Sequence, residues 1–238
     1  MSWYHAALLS GDRPSYRFID SCKRFSRRLS TGIYRVVRRR PTSDAQLDVL
    51  LSRCFQHSRS IDEIVKCTRF TKAEIRLLYR SFKQQCPGGS VNEERLRSIY
   101  IQFFPQGNAA RYARYLFAII DRNRKGTCTF DDYIFTLSIL CRGTIDEKLR
   151  WIFRFYDIHG EGILTRDDLG EIIRSLYDLL GPSVQPVADE RHIQRHINEI
   201  FHSIDNMRNE QITVEDFINY CKRRPQLIDS IQALSYCL

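Results

Sequence analysis

One unit recurs four times along the chain, and it limits the fold more than any other feature. An apolar-periodic helix leads into about a dozen polar residues with one small or aliphatic apolar residue at the eighth place, and a second helix follows. The eighth places are Val91, Cys128, Leu164 and Ile212, so successive units lie 37, 36 and 48 residues apart. Loops of this kind bind a hard cation through oxygens at positions 1, 3, 5, 7, 9 and 12 and make their sharp turn at a Gly at position 6. The eighth residue pairs with a neighbouring loop. Four loops therefore imply two pairs in an all-α protein, with a short two-stranded ribbon joining the loops of each pair.

The loops keep this pattern unequally. Asp121 to Asp132 and Asp157 to Asp168 have Asp at position 1, Gly126 or Gly162 at position 6 and an acid at position 12. Asp205 to Asp216 keeps only the two ends, and Gln84 to Arg95 keeps little beyond Gly89 and Val91. Helix starts are marked outside the loops as well. Thr71 and Glu74 have capping-box spacing with Phe70 and Ile75 placed as a hydrophobic staple, and Thr144 with Glu147 repeats the box. His57 to Ser60 reads as a loop.

The loops have the EF-hand pattern, and from about Phe70 to Leu238 the chain resembles the neuronal calcium sensor family, most closely its potassium-channel-interacting, calsenilin-like subfamily. The resemblance rests on Cys86-Pro87-Gly88-Gly89, on Phe103-Phe104-Pro105-Gln106-Gly107, and on Leu137 to Thr144 running into Glu147-Lys148-Leu149-Arg150-Trp151. It implies a recoverin-like arrangement of two lobes. We divide the chain into a basic extension (1–60), an N-terminal pair of hands (61–142) and a C-terminal pair with a last helix (143–238).

The donor sets argue against tight calcium binding. Calcium wants six to eight oxygens, two of them from a bidentate Glu at position 12. Asp132, Asp168 and Asp216 are each one methylene shorter. Lys125 puts an ammonium at position 5 of loop two, and in loop four Met207 offers a soft thioether at position 3 while Glu210 replaces the turn-making Gly. Loop one has no acidic ligand at positions 1, 3, 5 or 12. Loop three retains Asp157, Glu161, Thr165 and Asp168, with His159 at position 3 reading as a solvated residue. It is the one place for a weakly held Mg2+ or Ca2+, and the alternative is no ion at all.

Paired hands present an apolar groove for an amphipathic helix. Phe82, Tyr100, Phe103, Phe104, Tyr115, Phe117, Tyr133, Trp151 and Phe155 are the candidate lining, although each taken alone reads as ordinary core. The resemblance implies that the occupant is a cytoplasmic helix of a voltage-gated potassium channel. The amphipathic segment Leu227 to Leu234 is placed to occupy or rim the same groove.

Charge is concentrated at one end. Residues 1–60 hold 12 Lys/Arg against 4 Asp/Glu, a net of +8, which leaves +1 of the total +9 for the rest. Phe18, Cys22, Phe25, Leu29, Ile33 and Val36 have helical spacing among Arg27, Arg28 and Arg38-Arg39-Arg40, a stripe suited to an anionic membrane surface. Cys22 is a candidate acylation site and Ser30 a candidate phosphosite. Met1-Ser2 in place of Met-Gly predicts no myristoyl switch. Eight cysteines without CxxC spacing suggest a reducing compartment. No phosphate loop, HExxH or nucleophile elbow points to catalysis.

The expectation is a cytoplasmic adaptor, peripheral at the inner face of the plasma membrane. A calcium-responsive regulator of a receptor kinase or cyclase, and a nuclear calsenilin-like regulator, are the alternatives; nucleic acid is the less favoured partner.

Overall fold

The computed structural model describes residues 60–121, 124–183, 189–205 and 210–232. The basic extension, with Cys22, Arg27, Arg28, Ser30, Arg38, Arg39 and Arg40, lies outside them, as do Met207 and Leu234. The described residues are mostly helical: α1 (Ile61–Cys67), α2 (Lys72–Gln85), α3 (Glu93–Phe103), α4 (Ala110–Ile120), α5 (Phe130–Arg142), α6 (Ile145–Tyr156), α7 (Arg166–Leu180), α8 (Glu190–Ile204), α9 (Val214–Lys222) and α10 (Pro225–Gln232). Four two-residue strands complete them: β1 (Ser90–Val91), β2 (Cys128–Thr129), β3 (Ile163–Leu164) and β4 (Ile212–Thr213). The protein is all-α, as the repeat implies.

The strands pair antiparallel, β1 with β2 and β3 with β4. Val91 faces Cys128 and Leu164 faces Ile212. These are the four eighth-place residues, so each ribbon joins two loops back to back, and all four side chains are buried.

Helix starts follow the caps. Thr71 with Glu74 and Thr144 with Glu147 both form reciprocal capping boxes, and Phe70 and Ile75 are buried in one cluster. Helix α1 was not legible in the sequence, where Ser60 reads as loop. Ser60 in fact caps it in a box with Glu63, and Ile64 is its one buried side chain.

Two apolar clusters form the core. The smaller gathers Ile64, Phe70, Ile75, Leu78, Phe82, Phe130 and Ile134 around the first loop pair. The larger holds the C-terminal pair, but it also takes Tyr100, Tyr112 and Leu116 from α3 and α4. The core thus runs across the division between pairs at 142/143. The turn between α3 and α4 lies on the end of α7: Asn108 N–H donates to the Asp178 carbonyl at 2.7 Å, and Tyr115 OH donates to Glu171 Oε2 at 2.8 Å. Gly107 permits this approach, because a Cβ there would lie 1.8 Å from the Leu179 carbonyl oxygen.

Candidate functional site

Loops two, three and four each open with a carboxylate that organises the backbone of its own turn. Asp157 accepts from Glu161 N–H and Gly162 N–H, both at 2.9 Å. Asp121 does the same with Lys125 N–H at 3.0 Å and Gly126 N–H at 2.7 Å. Asp205 accepts from Glu210 N–H at 3.1 Å. Position 6 is left-handed in all four loops, with φ of 82° at Gly89, 72° at Gly126, 78° at Gly162 and 60° at Glu210. Glu210 therefore does not abolish the turn, as its substitution for Gly suggests; it adopts the strained conformation instead.

Position 12 departs most from an ion-binding loop. In loop three, Thr165 donates to Asp168 Oδ2 through its N–H at 3.1 Å and its hydroxyl at 2.6 Å, and Asp168 N–H returns to Thr165 Oγ1 at 3.2 Å. The same reciprocal box joins Thr129 to Asp132 and Thr213 to Asp216. One oxygen of each short carboxylate is thereby held at the start of the exiting helix, and the position-9 hydroxyl is engaged as well. Thr165, a candidate ion ligand in the sequence, has its hydroxyl placed as the cap of α7. The signal was present as Thr-x-x-Asp at the ends of loops two, three and four, but reading those acids as ligands obscured it.

Loop one is closed by cations of its own. Arg95, at position 12, donates through Nη2 to the Gln85 carbonyl at 3.0 Å, and Lys83 Nζ donates to the Pro87 carbonyl at 3.0 Å. These bonds brace the turn through the carbonyls at positions 2 and 4, which are not ligand positions of a calcium loop. A guanidinium also ties loop three to loop four. Arg166 lies 4.7 Å over the Phe201 ring, donates to Asn198 Oδ1 at 2.8 Å and stands 3.7 Å from Glu210 Oε1.

In the sequence, loop one opens on Gln84 and closes on Arg95, and Lys125 and Met207 stand at ligand positions of loops two and four. In loop three Asp157, the exposed Glu161 and Asp168 Oδ1 are the oxygens within one turn, and exposed His159 places Nε2 3.4 Å from that Oδ1. Among the described residues no three His, Cys, Asp or Glu side chains converge as a chelate.

The candidate groove residues divide by burial. Phe82, Tyr100, Phe117, Trp151 and Phe155 are core side chains, the last only 1 % exposed. Phe82 lies against Phe130 and Tyr133, while Phe155 lies against Tyr112 and Tyr156. Phe104, Tyr115 and Tyr133 are half-buried. In this conformation the five core residues line no open surface. Helix α10 packs on α6 and α9, with Leu227 and Ile231 buried in the larger cluster. An amphipathic helix of the chain itself therefore covers apolar surface of the C-terminal pair.

Residues 146–222 match the family model of an EF-hand domain pair. The match spans loops three and four with their helices, and it identifies the helix–loop–helix unit found in calcium-binding regulatory proteins.

Proposed function

We propose that the protein is a non-enzymatic EF-hand adaptor whose paired loops are held by its own side chains, and that it grips an amphipathic helix of a membrane protein. The observation that carries this reading is the capping of α5, α7 and α9 by Asp132, Asp168 and Asp216. Carboxylates that would report on calcium in a sensor instead stabilise helix starts. An ion shifts a population only through unequal affinity for two states. Where its ligands are already engaged, that inequality shrinks and partner binding becomes largely independent of calcium.

Loop three is the exception within this proposal. Asp157, Glu161 and Asp168 would hold a Mg2+ or Ca2+ weakly, with water completing the shell. The bound ion would supply positive charge to a turn that otherwise carries three carboxylates.

The seating of Leu227 and Ile231 supports a helical partner, because it shows apolar helix residues buried against α6 and α9. The resemblance to potassium-channel-interacting proteins suggests the channel's cytoplasmic N-terminal helix, and the basic extension suggests attachment to an anionic inner membrane. The test is calorimetry of the full chain with that channel peptide, in calcium and in chelator. Binding of similar affinity in both supports the proposal, and absence of binding in both overturns it. Binding only with calcium would favour a calcium-responsive regulator of a receptor kinase or cyclase.

A further inference from the structure

Helix α2 is pinned at its two ends by different means. Near its C-terminal end Tyr79 meets the Phe130 ring edge to face at 5.0 Å, Phe82 packs on Phe130 and Tyr133, and the β1–β2 ribbon follows. At its start a short connection from α1 bounded by extended Thr68 and Thr71 carries mostly polar contacts. Arg69 N–H donates to the Ser138 hydroxyl at 3.0 Å, and the Arg142 guanidinium lies 4.9 Å over the Phe70 ring and donates to the Arg69 carbonyl at 2.8 Å. Arg142 also pairs with Glu74, and Arg69 with Glu147 at the start of α6.

The two ends differ in strength. The rings of Tyr79, Phe82 and Phe130 are buried, whereas the four charged side chains at the start are 35–46 % exposed and belong to the weak class of ion pairs. Local opening begins where buried apolar contact is least. The α3–α4 half of the first pair has less freedom, because it shares the larger cluster and its turn is bonded to α7.

We propose that residues 68–71 form a releasable strap: the two arginine–glutamate pairs hold α1 and the start of α2 closed on α5, and their release uncovers Phe70, Ile75 and Ile134 to an amphipathic helix. For its partner this rests on the adaptor reading, and it gives that reading a gate operated by charge. A partner that binds only the open state gains affinity in proportion to the open fraction. Loss of two exposed pairs raises that fraction about fivefold.

The experiment compares the untagged, full-length protein with the double variant Arg69→Gln/Arg142→Gln, using the uncharged apolar dye Nile red and, by calorimetry, the channel peptide. The double variant is expected to bind both about fivefold more tightly, and Arg69→Gln alone to show an intermediate rise. Lys222→Gln, which breaks a similarly exposed pair with Asp146, should match the wild type. Far-UV circular dichroism checks folding, and Arg69→Gln decides the matter if the double variant does not fold. Unchanged dye binding, or an equal rise in Lys222→Gln, overturns the strap. A rise in dye binding with unchanged peptide affinity overturns the gate. A rise in dye binding with no peptide bound by any of the proteins keeps the strap and overturns the adaptor reading instead.

Discussion

At the scale of the residue, Glu210 shows how a loop can lose its glycine and keep its turn. Its φ of 60° lies in the region where a Cβ crowds the following carbonyl, a strain of about 1–2 kcal/mol for an ordinary residue. Glycine relieves that strain but costs roughly 0.5–1 kcal/mol more backbone entropy on folding. The Arg166 contact does little to alter the balance, because at 3.7 Å with the Glu210 side chain 79 % exposed it belongs to the weak surface pairs. Glu210→Gly is therefore expected to stabilise the protein by about 0.5 kcal/mol in urea unfolding. Gly162→Ala, at φ 78°, should destabilise it by about 1 kcal/mol. A destabilised Glu210→Gly would show that the left-handed turn is not strained as described.

At the scale of the element, the terminal aspartate of a loop has two competing uses, to ligate an ion or to cap the helix that follows. Aspartate is too short to do both easily. Glutamate completes a capping box from the same position in α2 and α6, where Glu74 and Glu147 answer Thr71 and Thr144. Replacing Asp168 by Glu should therefore leave α7 capped while returning the reach that calcium requires. Combined with His159→Asp, which replaces an imidazole by an oxygen donor, it should raise the calcium affinity of loop three at least about tenfold by titration calorimetry. Asp216→Glu alone should gain nothing, because Met207 still occupies position 3 of loop four. Equal gains in the two loops would mean that length at position 12 alone sets affinity. The periodicity of the four units and the eighth-place residues were legible because apolar side chains reveal their burial by spacing. The caps were not, since an aspartate reads alike whether it faces an ion or a backbone N–H, and the Arg95 and Lys83 contacts depend on a fold around loop one that spacing does not specify.

At the scale of the molecule, the two pairs of loops are joined by a shared core, a backbone contact and a charged network. The backbone contact follows from Gly107, where any side chain would meet the Leu179 carbonyl. Gly107→Ala should destabilise the chain by about 1–3 kcal/mol, read as a lower urea midpoint. This joint was hidden in the sequence: Gly107 and Asp178 lie in separate units, and neither has a pattern that names the other. The charged network lies around Gly143. Arg142 donates to the Arg69 carbonyl at 2.8 Å and pairs with Glu74, while Arg69 pairs with Glu147 at 2.7 Å. Each glutamate is already the returning half of a capping box, so the arginines connect the starts of α2 and α6 through their caps. The hydrogen bond from Arg69, aided by the Thr144 N–H, holds the Glu147 carboxyl at about 2 against an ordinary 4.5. At Glu74 burial pushes upward, but the bonds from Thr71 and Arg142 outweigh it and leave the group lowered. A carboxyl lowered on folding binds fewer protons in the native state, so its contribution is complete above the unfolded value near 4.5 and disappears as pH falls through about 2. Because the Glu147 side chain is 42 % exposed, solvent screening keeps the pair at or below about 1 kcal/mol. Arg69→Gln should therefore lower the melting temperature at pH 7, and its deficit should narrow steadily between pH 4.5 and pH 2 and with added salt. A deficit that stayed constant across that window would assign Arg69 a packing role and leave the connection between the two pairs to the core and the Gly107 contact.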